Sequence, residues 1–390
     1  MWPYAEPQTT LSSQELSVTI PIRVADHLVY MHGHVNDSRE LSVALDTGSS
    51  VSIVSPDVAQ QIGLHPSGSA EAAGIGHGSS QRVRFVEGTR LRWGAELSAL
   101  RVAGQRIAIL PIGYVAEEVG HPTDAIFGSN VFENFRVRVD YQHERATFAS
   151  PSFPLGNVGD PIPIKILGGT PFVTAMLVSP KGSHISGLFL LDSGSTNSLT
   201  LNKLFLSAHP EITSGRNFVD TPSPNAVGGR IDMKLVRIAA LDLGPFHFNQ
   251  PVAAVPESST GALAHPEIAG FIGAGILCRF TVTWDYAHGR IFLKPNPHLN
   301  DVFEADASGL RLNVTPPDYE TIHVAAVLPG SPSALAGLRV GDVVASFNGK
   351  RDLKLWRVTE ELKKPGTAPV LSILRGNKEM TISLHLRSRV

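Results

Sequence analysis

Asp46-Thr47-Gly48-Ser49 and Asp192-Ser193-Gly194-Ser195 are one short pattern written twice, each behind an apolar run at residues 41–45 and 188–191. A lone Asp-Ser/Thr-Gly constrains little, because an aspartate followed by a small residue and a glycine is ordinary turn chemistry. The companions constrain far more. Behind the first copy come Ile126-Phe127-Gly128, Phe135, Asp140-Tyr141 and Arg145; behind the second come Phe271-Ile272-Gly273, Phe280, Asp285-Tyr286 and Arg290, in register to within one residue. Repetition at that precision marks a duplicated unit. Each apolar run reads as a buried strand, so each aspartate sits at a strand end leading into a turn.

A buried carboxylate without a partner is costly, and the partner that duplication supplies is the other carboxylate. Two carboxyls within hydrogen-bonding reach do not both ionise cheaply, so the pair keeps one proton. The ionised member takes a proton from a bound water while the protonated member donates to a scissile carbonyl oxygen, and the roles exchange as the tetrahedral intermediate collapses. This chemistry needs no metal, no cofactor and no covalent intermediate. Gly48 and Gly194 lack a Cβ, which lets each loop turn tightly and approach the other.

The doubled pattern resembles the pepsin and retropepsin superfamily of aspartic peptidases, over residues 16 to 297. The resemblance implies a mainly β chain with two pseudo-symmetric acid-protease β-barrel lobes and Asp46 and Asp192 as the catalytic pair. Both lobes lie in one chain, so dimerisation is not required to assemble the site. It further implies that the hydroxyls of Thr47 and Ser193 hydrogen-bond across to the opposite loop and that Ser49 and Ser195 donate to the outer carboxylate oxygens. Ile126, Phe127 and Gly128, with Phe271, Ile272 and Gly273, would brace the loops. A substrate-covering hairpin is expected in each lobe, with Gly74, Ile75, Gly76 and His77 at the first glycine-rich tip and Val227, Gly228 and Gly229 at the second. No tyrosine occurs between Tyr30 and Tyr114, so the flap tyrosine of the pepsin-like branch is missing.

The residue content agrees with this organisation. With 36 Gly, 28 Pro and short runs of Val, Ile and Thr, the chain reads as mostly strand, with helices expected at 55–62, 202–208 and 353–362. A net charge of −2 and a pI near 6.7 give no reason to expect nucleic acid or an anionic membrane as partner. The single cysteine, Cys278, rules out an intramolecular disulfide. His32-Gly33-His34 lacks a third ligand at metal-site spacing, so no metal site is expected. Residues 1–6 have neither the charged start nor the apolar core of a secretory signal, and no apolar stretch reaches the length of a membrane span. The compartment stays open between bacterial periplasmic or secreted and cytoplasmic.

Composition changes near residue 295. The expected division is a tail at 1–15, a first lobe at 16–155, a second at 156–297, a link at 298–306 and a further domain at 307–388. The run from Pro329 to Gly349, with Ala336-Gly337-Leu338 and the turn signal Asn348-Gly349, resembles a PDZ domain of the bacterial type, a small β-barrel with helices. That resemblance implies capture of a peptide C-terminus by strand addition at Gly309, Leu310, Arg311 and Leu312. Arg311 stands where the commonest loop has its second glycine and adds positive charge. Such a domain either delivers substrate C-termini to the cleft, or gates access to it, or serves as a rigid docking module that binds no free peptide. For the whole chain two readings stand, an aspartic endopeptidase acting on peptide or protein substrates and a catalytically silent peptide-binding scaffold. Intact residues at both loops favour the first.

Overall fold

The computed structural model describes residues 9–10, 17–72, 81–95, 100–154, 156–226, 229–257, 263 and 265–390. In the first half the strand Leu41–Leu45 runs parallel to Ala125–Phe127, which pairs antiparallel with Ser52–Val54. The second half repeats this arrangement. There His184–Asp192 runs parallel to Ile268–Gly273, which pairs antiparallel with Leu199–Leu201. The central strands are buried on both faces, which is why they read as continuous apolar runs without alternation.

A short helix follows each loop, and its start is set by a capping side chain. Ser55 accepts from the Val58 amide (3.3 Å) ahead of Pro56–Gln61, with proline in the first turn. Asn202 accepts from the Leu204 amide (2.9 Å) ahead of Lys203–Ala208.

The halves are joined by one six-stranded antiparallel sheet. Its order is Pro161–Pro163, Arg290–Pro295, Phe280–Asp285, Arg136–Asp140, Arg145–Ala149 and Ser17–Pro21. At its centre Val137 stands opposite Trp284 and Val139 opposite Val282, so the seam between the halves is a strand pair. One large apolar cluster runs through both halves. Within it the Trp93 ring packs edge-on against Phe127, Phe135 and Phe148, at 5.8, 5.5 and 5.2 Å.

The C-terminal domain has its own core. Its five strands are ordered Leu310–Val314, Ile322–Val327, Val343–Phe347, Val370–Arg375 and Lys378–Ser383, which leaves Leu310–Val314 at an edge. The helix Leu355–Leu362 buries Leu355, Val358 and Leu362 along one face. Residues 298–306, which the sequence reads as a link, are packed: Phe303 is buried against Phe248 and lies beneath the Arg279 guanidinium at 3.7 Å. Among the described residues no helix is long and apolar enough to cross a membrane.

Candidate active site

The parallel strands deliver Asp46 and Asp192 to adjoining loops, and the loops lock through the residues that follow. The Thr47 amide donates to Ser193 Oγ (3.0 Å) and the Thr47 hydroxyl donates to the Leu191 carbonyl (2.7 Å). Symmetrically, the Ser193 amide donates to Thr47 Oγ1 (3.0 Å) and the Ser193 hydroxyl to the Leu45 carbonyl (3.2 Å). Both side chains are buried, so these bonds form away from competing water.

The glycines bring the carboxyls together. A Cβ on Gly48 would collide with the Asp192 carboxyl, and one on Gly194 with the Asp46 carboxyl, so each aspartate lies over the opposite loop's glycine. The two carboxyls hydrogen-bond one another. The Gly48 amide also donates to Asp46 Oδ1 (2.7 Å) and the Gly194 amide to Asp192 Oδ1 (3.0 Å). Burial pushes both carboxyls above the ordinary carboxylate range. At Asp192 the neighbouring Asp46 charge adds to that rise, whereas at Asp46 the amides of Gly48, Gly194 and Ser49 work against it. Titration of such a pair belongs to both groups together.

The Ser49 hydroxyl takes a different part from the one the resemblance implies. It donates to the Val51 carbonyl (2.7 Å), filling an acceptor in the turn that leads into Ser52–Val54. It is the backbone amides of Ser49 and Ser195 that support the carboxyls of Asp46 and Asp192. The bracing segments lie directly behind the loops. The Phe127 carbonyl accepts from the Asp46 amide (3.0 Å), the Gly128 amide donates to Ser52 Oγ (3.1 Å), and the Gly273 amide donates to the Ser198 carbonyl (3.1 Å). A side chain at Gly128 or Gly273 would strike the carbonyl of Ser49 or Asn197. Ile126 and Phe271 line the cleft, and Ile272 is buried beside Leu191.

Strands Gly68–Ala72 and Gln81–Trp93 form the arms of a hairpin whose last pair is Ala72 and Gln81. The first flap tip, Gly74, Ile75, Gly76 and His77, lies outside the described residues. In the second half Asn225–Ala226 pairs with Gly229–Arg230, and Gly229 is exposed at a φ of 103°. Val227 and Gly228 lie outside the described residues.

The aspartates open onto a cleft of about 2200 Å³, whose walls include Phe85, Tyr114, Asn225 and, from the C-terminal domain, Arg311. Tyr114 belongs to the helix Gly113–Val119; burial, together with the charges of Asp46, Glu118 and Asp192, raises its hydroxyl pKa. Nothing in the sequence pattern singled out this helix, which is too short to show a periodicity. Its Glu118 is a hub: Oε1 accepts from the Asn225 amide (2.8 Å), from Asn225 Nδ2 (2.9 Å) and from Arg311 Nη1 (3.0 Å).

Arg311 is therefore engaged within the chain. So is the rest of the loop expected to take a peptide carboxylate. The Gly309 amide donates to Asp306 Oδ2 (2.6 Å) and the Leu310 amide to Ser308 Oγ (3.0 Å), while Leu312 is buried in the domain core. The domain is held to the first half by a second ion pair, Lys363 to Asp26 at 3.3 Å.

Comparison with known proteins agrees with both parts. The aspartyl protease family profile matches residues 31–131, and the PDZ domain profile matches residues 323–360. A 69-residue stretch is 36% identical to Serine protease HTRA1 of Xenopus laevis and 35% identical to that of Xenopus tropicalis. This covers 18% of the chain and spans only 15% of the length of those relatives. Among solved structures, the aspartic proteinase from Irpex lacteus is 13% identical with a TM-score of 0.45, covering 73% of this chain and 99% of that one. The HtrA3 PDZ domain bound to a phage-derived ligand is 26% identical with a TM-score of 0.18, covering 20% of this chain and 81% of that one. The chain thus carries an aspartyl protease family segment followed by a C-terminal PDZ domain.

Proposed function

We propose that the protein is an aspartic endopeptidase that hydrolyses peptide bonds in an extended substrate by activating water between Asp46 and Asp192. The observation that carries this reading is the meeting of the two carboxyls, each over the opposite loop's glycine and hydrogen-bonded to its partner. Both are raised by burial, which favours a pair that retains one proton and offers an acid and a base at the same spot. The ionised carboxylate draws a proton from water as its oxygen attacks the carbonyl carbon. The other carboxyl protonates the carbonyl oxygen; in the collapse the first carboxyl passes its proton to the amide nitrogen while the second carboxylate takes one back from the gem-diol hydroxyl, so the C–N bond breaks with the amine leaving neutral. The C-terminal domain, whose Arg311 lines that cleft, takes part in recruiting or admitting substrate.

Asp46→Asn and Asp192→Asn are each expected to lower the rate of peptide-library cleavage by on the order of 10⁴ or more, with unchanged circular dichroism. A variant that kept full activity would sink the assignment.

A further inference from the structure

The edge strand of the PDZ domain is where a peptide would add, and in this chain a helix of the first half lies against it. Leu310–Val314 pairs only with Ile322–Val327 among the described strands, which leaves its outer edge for another partner. The helix Gly113–Val119 of the first half packs against both that strand and the helix Leu355–Leu362, the two walls of the peptide groove. Val115 and Trp356 both pack against one buried apolar cluster. His121, just past the helix, lies between the rings of Tyr30 (4.2 Å) and Trp356 (6.1 Å). At the end of the helix a side chain on Gly120 would come within 2.6 Å of Leu355 Cβ, so the approach is as close as the backbone allows.

This cover is polar at one point and incomplete at another. Glu118 pairs with Arg311, each side chain being 20% exposed, and the same carboxylate oxygen holds Asn225 at the base of the second-lobe hairpin. Yet Arg311 Nε and Asn313 Oδ1, two residues apart and so on one face of the edge strand, are buried without a hydrogen-bond partner. Groups left in that state favour any occupant that can satisfy them.

We propose that the helix Gly113–Val119 is an internal plug in the PDZ peptide groove and that Glu118 is the latch tying the plug to the second-lobe hairpin. The competing occupant is an extended peptide with a free C-terminal carboxylate. It pairs with the strand edge by main-chain hydrogen bonds, and its carboxylate replaces that of Glu118 on the Arg311 guanidinium. When the peptide enters, Glu118 withdraws and Asn225 loses both of its bonds to it. Occupancy of the PDZ groove thereby loosens a hairpin that borders the cleft. The link to catalysis rests on the peptidase reading above, but displacement of the helix does not.

The test uses the full chain carrying Asp46→Asn, with fluorescence anisotropy to follow a fluorescein-labelled pentapeptide that ends in a free valine carboxylate, alongside its C-terminal amide. A plug that must leave first lowers the apparent affinity, so Glu118→Gln and, independently, Val115→Ala should each tighten binding of the free acid about tenfold. The amide should bind more weakly than the acid. Saturating peptide should speed amide hydrogen exchange in residues 113–119, 225–226 and 229–230. Affinities within about twofold of the parent in both variants, equal binding of acid and amide, no binding in any variant, or unchanged exchange in 113–119 would each overturn the proposal. These readouts need no turnover, so failure of the peptidase reading would appear separately, in the cleavage assay.

Discussion

The Thr47 hydroxyl takes part in two of the bonds that lock the loops, donating to the Leu191 carbonyl and accepting from the Ser193 amide. Replacing it with alanine would leave a buried amide and a buried carbonyl of the other half unpaired. Thr47→Ala is therefore expected to lower stability by about 1–3 kcal/mol in urea titration and to reduce kcat, because the aspartates lose their common anchor. Thr47→Ser keeps the hydroxyl and should restore most of both; equal losses in the two variants would refute the hydrogen-bond account. The grip was legible in the sequence because the motif residues themselves make it. The turn of the Ser49 hydroxyl to Val51 was not, since which acceptor a serine finds depends on the exact course of the loop.

The strand Phe280–Asp285 carries the seam of the molecule, and Asp285 is its most exacting residue. Its fully buried carboxylate receives Arg136 from the other half (3.0 Å), Arg290 (2.8 Å) and His288 (2.7 Å). Burial would raise its pKa, but His288, Arg290 and Arg136 together outweigh burial and hold it below the ordinary range. A carboxyl depressed by folding contributes stability above its unfolded pKa, and that contribution is lost as pH falls through the folded value. Asp285→Asn should thus cost about 3 kcal/mol near neutral pH, where Arg136 and Arg290 are left without their counter-charge. It should cost much less below the folded pKa, so a constant difference in urea midpoint across that range would contradict the linkage. The paired helices at 55–62 and 202–208 stand at Pro56–Gln61 and Lys203–Ala208, because Ser55 and Asn202 are local capping signals. Nothing local announces that Val137 will lie opposite Trp284, or that Glu118 will meet Arg311. Such pairings are decided by tertiary packing between segments far apart in the chain.

For the molecule as a whole, both loops and both aspartates belong to one polypeptide joined through a shared core. Specific activity should therefore stay constant on dilution through the range in which a dimer would dissociate, measured as initial rate per mole of chain. A fall with the first power of concentration would mean that a second copy completes the site. The closeness of the parts was not readable from composition and repeats: residues 298–306 are packed through Phe303, and the terminal domain meets the first half through Glu118 and Asp26. The seam carries one more implication. Because the halves are zipped by a strand pair and by the Arg136–Asp285 bridge, the covalent connection at 150–160 is not what keeps them in place. A protease nick there would leave a non-covalent heterodimer with its two aspartates still facing each other, one on each fragment.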